Sequence, residues 1–324
     1  MNFLSELLIN LAGSIGDPLF IAASIVLALL LSFVGIPYTT DMMVNSTAGL
    51  AGKYFGPRSR TLFINASTNN PEAFSMLVSF GLKRMGGWSN PLGSLFANIY
   101  LMYGVALIWV FLKFLVTGKT DKARELWQLI KKEKKLFAGH VIVAFVMFGS
   151  GWGALQLFKG SGERDPEPGL IALLTGLILA AAMIVFYIFE KRLKDQRPEL
   201  FDEMNEDDHN ESWFQFILGT TGVIFCCWVM NELFLAWSEV YQGSLSKVFG
   251  PLIFLWLHYF VGALITSLPE MNVAIKNFEH CKPADLNTAL GSASYSNLVN
   301  LGIAFLGLIV WFLLALLGVS FSWT

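Results

Sequence analysis

The length of its apolar stretches constrains this chain more than any other feature of the sequence. Eight stretches are long enough to cross about 30 Å of hydrocarbon as helices. They lie near residues 18–38, 61–82, 91–116, 136–158, 169–190, 213–238, 248–275 and 286–318. A hydrophobic content of 55%, a charged content of 14% and a mean hydropathy of +0.57 exclude an ordinary soluble domain. The sequence therefore predicts an all-α polytopic membrane protein with about eight transmembrane helices.

The lysines and arginines divide unevenly between alternate loops. One set of loops holds 17 of the 22 and the other set holds five. Loops rich in lysine and arginine stay on the cytoplasmic side of a membrane. The pattern predicts that both termini lie outside and that the protein belongs to the cell (inner) membrane. The predicted organisation is a first half at residues 1–190, a cytoplasmic linker at 191–211 and a second half at 212–324.

Two polar segments lie between the predicted helices. Residues 191–211 turn from basic to acidic, which is typical of a solvated linker. A regulatory cation site is the alternative there, with candidate ligands Asp202, Glu203, Glu206, Asp207 and Asp208. Residues 119–135 combine alternating charges with Trp127, Leu129 and Ile130. This is typical of an amphipathic helix on an anionic lipid surface, and a helix that binds a partner protein is the alternative.

Two of the apolar stretches contain a glutamate that directly follows a proline. Each copy also has a threonine four residues before the glutamate: Thr68, Pro71 and Glu72 in the first, and Thr266, Pro269 and Glu270 in the second. An ionisable side chain at bilayer depth is costly, about 2.5 to 3.5 kcal/mol for Asp, Lys or Arg on insertion scales, and marks a functional site. Proline removes a helical hydrogen bond and disfavours a helical conformation in the residue before it. The two segments therefore predict broken helices that place a glutamate and free carbonyl oxygens at the midplane.

The apolar stretch after each glutamate carries a serine and an asparagine four residues apart. They are Ser94 and Asn98 in the first copy and Ser296 and Asn300 in the second. Residues four apart share one face of a helix. The glutamate and the asparagine are 26 residues apart in the first copy and 30 in the second, which indicates an internal repeat. A packing kink beside a small-residue helix interface is the alternative for either copy alone.

The two motif helices are the second and the seventh of the predicted spans, so they cross the membrane in opposite directions. The sequence thus predicts two inverted-topology repeats, at about 41–116 and 239–318. Secondary transporters of this architecture hold their coupling ions where the broken helices of the two halves meet.

These residues resemble the calcium/cation antiporter superfamily, which includes the sodium/calcium exchangers. Its repeats carry a G-[ST]-S-x-P-E segment and, on the next helix, a G-S-N-x-x-N-like segment. The second repeat matches with Thr266, Ser267, Pro269, Glu270, Ser296, Asn297 and Asn300. The first repeat keeps Thr68, Pro71, Glu72, Gly93, Ser94 and Asn98, while Asn69 replaces the serine and Leu95 replaces the first asparagine. Members commonly have more spans than the eight predicted here, and several sodium-coupled members have an aspartate at one of the final asparagine positions.

The resemblance implies a transporter and not an enzyme, one that exchanges Ca²⁺ for Na⁺ by alternating access. The transported ions are Ca²⁺ and Na⁺ or H⁺, with no cofactor, and the expected partners are these cations and membrane lipid, with no nucleic acid. The expected cation ligands are Thr68, Glu72, Ser94, Asn98, Thr266, Glu270, Ser296 and Asn300. Calcium takes six to eight hard oxygen ligands, which such side chains and freed carbonyls can supply. The alternatives are a Ca²⁺/H⁺ antiporter, and a cation channel or a transport-inactive sensor on the same fold.

The coupling ion depends on which oxygens titrate. The amides of Asn98 and Asn300 coordinate Na⁺ but do not titrate, so proton coupling must run through Glu72 and Glu270 themselves. The hydroxyl and carbonyl oxygens near the two threonines favour Na⁺, although Ca²⁺ binding alone also accounts for them.

Overall fold

The structure is a computed structural model that describes residues 3–56, 59–81, 86–161, 168–202, 211–249 and 263–321. Within these ranges the regular secondary structure is helical and contains no strand. The helices are α1 (Phe3–Ile15), α2 (Asp17–Leu30), α3 (Ile36–Phe55), α4 (Arg60–Thr68), α5 (Asn70–Gly81), α6 (Gly86–Tyr100), α7 (Leu107–Val116), α8 (Thr120–Lys132), α9 (Lys134–Ser161), α10 (Pro168–Gln196), α11 (Glu199–Asp202), α12 (Trp213–Phe249), α13 (Leu268–His280) and α14 (Pro283–Leu316). Single π-helical turns, Leu31–Gly35 and Leu101–Ala106, join α2 to α3 and α6 to α7.

Six helical segments of the described chain are long and apolar enough to cross a membrane. They are Asp17–Phe55, Trp88–Val116, Lys134–Phe158, Gly169–Gln196, Trp213–Tyr241 and Pro283–Leu316. The prediction of an all-α, multi-pass membrane protein is therefore confirmed. The two other predicted spans coincide with shorter helices: α4 and α5 cover 61–82, and a helical segment at 263–266 followed by α13 covers the end of 248–275. Residues 250–262 of the latter lie outside the described residues.

Both short-helix pairs are broken two residues before a proline. Asn69, which separates α4 from α5, has φ −87° and ψ 8°, and Ser267, which precedes α13, has φ −91° and ψ 4°. The ring nitrogens of Pro71 and Pro269 carry no hydrogen. Neither can donate to the carbonyl four residues earlier, so each helix lacks one backbone hydrogen bond across the break. The two equivalent sequence segments thus adopt the same backbone conformation at their centres.

Helices α3 and α12 approach each other closely because glycines of α12 face α3. A Cβ atom on Gly219 would lie 2.5 Å from the backbone nitrogen of Met43, and one on Gly222 would lie 2.5 Å from Cγ2 of Thr39. Small residues at a helix interface are how membrane helices bring their backbones together.

Ion pairs connect several helix ends. Lys53 near the end of α3 lies 2.6 Å from Glu211, which precedes α12. Lys113 near the end of α7 lies 2.5 Å from Glu279 near the end of α13. The Sγ atom of Cys281, between α13 and α14, lies 3.8 Å from the carbonyl oxygen of Lys122 on α8. We use the term basic end for one end of the bundle. It comprises the ends of α3, α7, α10 and α13 and the starts of α9, α12 and α14.

The first part of the predicted linker is packed against the bundle. Leu200 and Phe201 are buried in one core cluster with Phe278 and Leu286. The Arg197 guanidinium donates to both carboxylate oxygens of Glu133, at 3.1 and 3.3 Å. Two apolar side chains therefore anchor this part of residues 191–211, while residues 191–199 are exposed or half-buried. Glu203, Glu206, Asp207 and Asp208 of the alternative cation site lie outside the described residues.

Arg197 and Glu199 shift each other's pKa. The hydrogen bond from Arg197 to Glu133 is the largest of the interactions that raise the pKa of Arg197, and its hydrogen bond to Glu199 lowers the pKa of that carboxyl group. Both groups therefore stay charged over a wider pH range than free side chains do.

The amphipathic helix predicted at 119–135 corresponds to α8. Its buried residues, Ala123, Leu126 and Leu129, belong to a protein core cluster, whereas Trp127 is half exposed. The apolar side of α8 is thus largely covered by the protein, and Trp127 is left at the surface beside Lys131, whose ammonium lies 5.1 Å from the indole ring.

Candidate cation-binding site

All eight predicted site residues are buried, seven of them completely. Thr68 and Glu72 lie on the two sides of the first helix break, and Thr266 and Glu270 lie on the two sides of the second. The serines and asparagines lie on α6 and α14: Ser94 and Asn98 on the first, Ser296 and Asn300 on the second. Four segments from distant parts of the sequence therefore bring polar side chains together inside an apolar bundle.

The first glutamate has polar neighbours from both repeats. Oε1 of Glu72 accepts a hydrogen bond from Oγ of Ser94 at 3.2 Å. Thr266, in the other repeat, lies close to the Glu72 carboxylate, while its hydroxyl donates to the carbonyl of Ala263 at 3.4 Å. The two hydroxyl oxygens, Oγ of Ser94 and Oγ1 of Thr266, are 3.3 Å apart.

The second glutamate has the corresponding partners. Oγ of Ser296 lies 3.4 Å from Oε1 of Glu270, and its one hydrogen is shared between that oxygen and Oδ1 of Asn69 at 2.9 Å. Thr68 lies close to the same carboxylate, while its hydroxyl donates to the carbonyl of Asn65 at 3.0 Å. Each glutamate therefore contacts the serine of its own repeat and the threonine of the other repeat. The Glu72 and Glu270 carboxylates are also close enough to interact electrostatically.

Four buried side-chain oxygens of the site have no hydrogen-bond partner in the part of the chain that is described. They are Oε2 of Glu72, Oε2 of Glu270, Oδ1 of Asn98 and Oδ1 of Asn300. A buried oxygen without a partner costs about 1 to 3 kcal/mol, and more when it is charged. Carboxylate and amide oxygens are ligands that Ca²⁺ takes readily, and Na⁺ is likewise bound by oxygen. The donor set therefore fits a hard cation.

The described residues contain no group of ligands of the kind that binds a transition metal. No three His, Cys, Asp or Glu side chains within the described ranges are grouped so that they can hold a metal ion. The negative charge available to a cation here comes from two carboxylates, and the remaining ligands must be neutral oxygens.

Asn69 and Asn297 are site residues that the sequence prediction did not include among the ligands. Oδ1 of Asn69 accepts from Ser296 at 2.9 Å, so the first break is tied to α14. Asn297 joins α14 to α6, because its Nδ2 donates to the carbonyl of Leu95 at 3.1 Å and its Oδ1 accepts from Asn98 at 3.0 Å. Two features of the sequence could have identified these residues. Asn69 is equivalent to Ser267 in the other repeat, and Asn297 directly follows Ser296.

Asn69→Ala is expected to weaken calcium binding about tenfold or more, because residues that orient the first ligands contribute about 10- to 100-fold to metal affinity. The matched control is Asn277→Ala. Both asparagines donate to the carbonyl four residues earlier, at 2.5 Å for Asn69 and 2.9 Å for Asn277, but Asn69 also reaches α14. Calorimetric titration of the purified proteins with calcium measures the difference. Equal affinities in the two variants would show that the bond to Ser296 does not support the site.

Chemically, this set of carboxylate, amide and hydroxyl oxygens suits a cation of one or two charges. No family model, no curated protein and no solved structure matches this chain.

Proposed function

We propose that this protein is a secondary active antiporter of the calcium/cation antiporter type that exchanges Ca²⁺ for Na⁺ by alternating access. The observation that carries the proposal is the position of Glu72 and Glu270, each with one unpartnered oxygen, between two broken helices, beside the serine of their own repeat and the threonine of the other. Broken helices from two halves that meet around polar ligands are how secondary transporters hold their ions.

The geometry also supports two inverted repeats with eight crossings in all. The α4 and α5 pair starts near the basic end, beside the end of α3, whereas the segment from 263 to the end of α13 finishes at the basic end. The two motif segments would then run in opposite directions. Closely similar backbone angles at Asn69 and Ser267, and the position of each threonine near the glutamate of the other repeat, are what a two-fold axis in the membrane plane produces.

The distribution of charge supports a cytoplasmic position for the basic end in the cell (inner) membrane. Most of the lysines and arginines fall on that side by sequence, and Lys53 and Lys113 lie there in exposed ion pairs. The positive-inside rule then places both termini outside.

Charge balance makes the exchange obligatory. One Ca²⁺, or two monovalent cations, neutralises the two glutamates. Two like charges without a counter-ion repel strongly in a medium of low dielectric constant, and charged groups at bilayer depth are costly in themselves. The conformational change is therefore expected to be rare when the site holds no cation.

The coupling ion is tested by calcium release from loaded vesicles. We expect an inward Na⁺ gradient at fixed pH to stimulate release, because the hydroxyl oxygens of Thr68 and Thr266 lie beside the carboxylates and suit Na⁺. A pH gradient without Na⁺ is the comparison. Stimulation by the pH gradient and none by Na⁺ would instead identify a Ca²⁺/H⁺ antiporter, in which the glutamates carry the protons.

A further inference from the structure

An ion pair lies near the depth of the helix breaks and extends toward the basic end, and the exchange described above does not use it. Oδ2 of Asp41 lies 2.5 Å from Nζ of Lys276. Oδ1 of Asp41 accepts a hydrogen bond from Nδ2 of Asn272 at 3.2 Å. Asp41 is on α3 in the first half of the chain, whereas Asn272 and Lys276 lie one turn apart on α13. The group therefore bridges the two halves.

The depth of this group follows from its neighbours. Asp41 is two residues from Met43, whose sulfur accepts a hydrogen bond from the amide of Asn70 at 3.9 Å, and Asn70 begins α5 at the first helix break. At 1.5 Å per residue, Asn272 is about 3 Å and Lys276 about 9 Å from Glu270 along α13. Asp41 thus lies at the depth of the breaks, and Lys276 lies farther toward the basic end.

The exposure of the pair indicates water. The Asp41 side chain is 36% exposed and the Lys276 side chain is 51% exposed. Charged side chains within membrane spans face the bundle interior or a water-filled cavity. A lysine near the end of a span normally extends its ammonium toward the nearer surface, but Lys276 directs its ammonium to Asp41. The exposed surface of the pair is therefore best explained by a vestibule open to the basic end.

We propose that Asp41 and Asn272 form an outer binding station for the divalent cation, in which the Lys276 ammonium occupies the place of the cation until one arrives from the basic end. The station rests on the proposed function, since it serves the same ion. A carboxylate and an amide are hard oxygen ligands suited to Ca²⁺. A divalent ion attracts the Asp41 carboxylate more strongly than a single positive charge does, so it can displace the ammonium.

The station belongs to one side of the protein only. Asn272 and Lys276 lie two and six residues after Glu270, and the positions two and six residues after Glu72 hold Phe74 and Val78. The first repeat therefore has no equivalent amide or ammonium. Changes at the station should alter the calcium dependence at the basic end and leave the dependence at the opposite end unchanged.

Charge variants test the competition between Lys276 and calcium. Asp41→Asn leaves the ammonium unpaired on the ion path, so the half-saturating calcium concentration at the basic end should rise about tenfold, which corresponds to a coupling of ordinary size between neighbouring charges. Lys276→Gln removes the competitor and should lower that concentration by a similar factor. The double variant lacks both the carboxylate ligand and the competing ammonium, so its half-saturating concentration should lie between those of the two single variants, without strict additivity because the residues are in contact. Shifts in the same direction, or equal shifts at both faces of oriented proteoliposomes, would overturn the proposal.

Cysteine labelling tests the vestibule without any need for transport. Asn272→Cys should react with a membrane-impermeant methanethiosulfonate reagent added at the basic end, and calcium should slow the reaction by occupying Asp41. The control is Ile108→Cys, on an apolar side chain that is 59% exposed on the bundle surface and should not react. The wild type, with Cys226, Cys227 and Cys281 all buried, gives the background. Labelling no faster than at position 108, or labelling that calcium does not slow, would overturn the station. Calcium-sensitive labelling in a protein that does not move calcium would instead contradict the proposed function alone.

Discussion

Glu270→Gln is expected to weaken calcium binding by about 100-fold or more, because breaking a buried charge pairing costs about 3 to 5 kcal/mol and each 1.4 kcal/mol is tenfold. Glutamine keeps the shape of the side chain and an oxygen that can accept the hydrogen bond from Ser296. The variant therefore removes one negative charge with little change in packing. Glu72→Gln should have an effect of the same size, since Ser94 bonds that carboxylate as Ser296 bonds the carboxylate of Glu270, and each leaves one oxygen without a partner.

The matched control for both variants is Glu199→Gln. Glu199 also follows a proline, Pro198, but its side chain is half exposed and pairs with Arg197 outside the bundle. Calcium titration of the purified proteins, together with flux in vesicles, compares the three variants. If Glu72→Gln and Glu270→Gln bind and move calcium as well as Glu199→Gln does, the two buried glutamates are not the cation ligands.

Gly219→Ala is expected to destabilise the folded protein by about 2 kcal/mol. Alanine gains about 1 kcal/mol over glycine in a helix, but overpacking costs about 3 kcal/mol when the neighbour cannot move. The neighbour here is the backbone of Met43, with its nitrogen at 2.5 Å and its Cα at 2.9 Å from the added Cβ. Thermal unfolding in detergent should therefore show a lower midpoint than in the wild type.

Gly243→Ala, in the same helix, is the control and is not expected to lower the stability of the protein. No atom of the described residues lies within 4 Å of a Cβ added at this position, so the variant should keep the gain in helix propensity and unfold at or slightly above the wild-type midpoint. A Gly219→Ala protein as stable as Gly243→Ala would show that α3 and α12 are not held in close contact by this glycine.

The sequence was sufficient to predict the helical class and the positions of the breaks. Proline acts on its own helix and needs no tertiary information, which is why Pro71 and Pro269 mark the interruptions at Asn69 and Ser267 correctly. The spacing of four between Ser296 and Asn300 likewise specifies one face of one helix. Burial of the eight polar residues follows from their position inside apolar stretches.

Contacts between distant segments could not be predicted in the same way. Spacing along one helix does not reveal which helix crosses it, so the reach of Thr266 to Glu72 and of Asn69 to Ser296 is visible only in three dimensions. The anchoring of the linker was missed for a different reason. Leu200 and Phe201 are only two apolar residues within a charged run, too few to produce a periodic pattern.

Uptake of radioactive calcium into proteoliposomes, with and without a counter-ion gradient, tests the central claim most directly. The purified wild-type protein is reconstituted with Na⁺ inside at a fixed pH, and uptake is compared with that into vesicles without internal Na⁺. A parallel set with an acidic interior and no Na⁺ covers proton coupling. Exchange through Glu72 and Glu270 predicts that uptake requires a counter-ion inside and falls to background without one. Equal uptake in the absence of every counter-ion gradient, as in a channel, or calcium binding with no uptake under any gradient, as in a sensor, would contradict it.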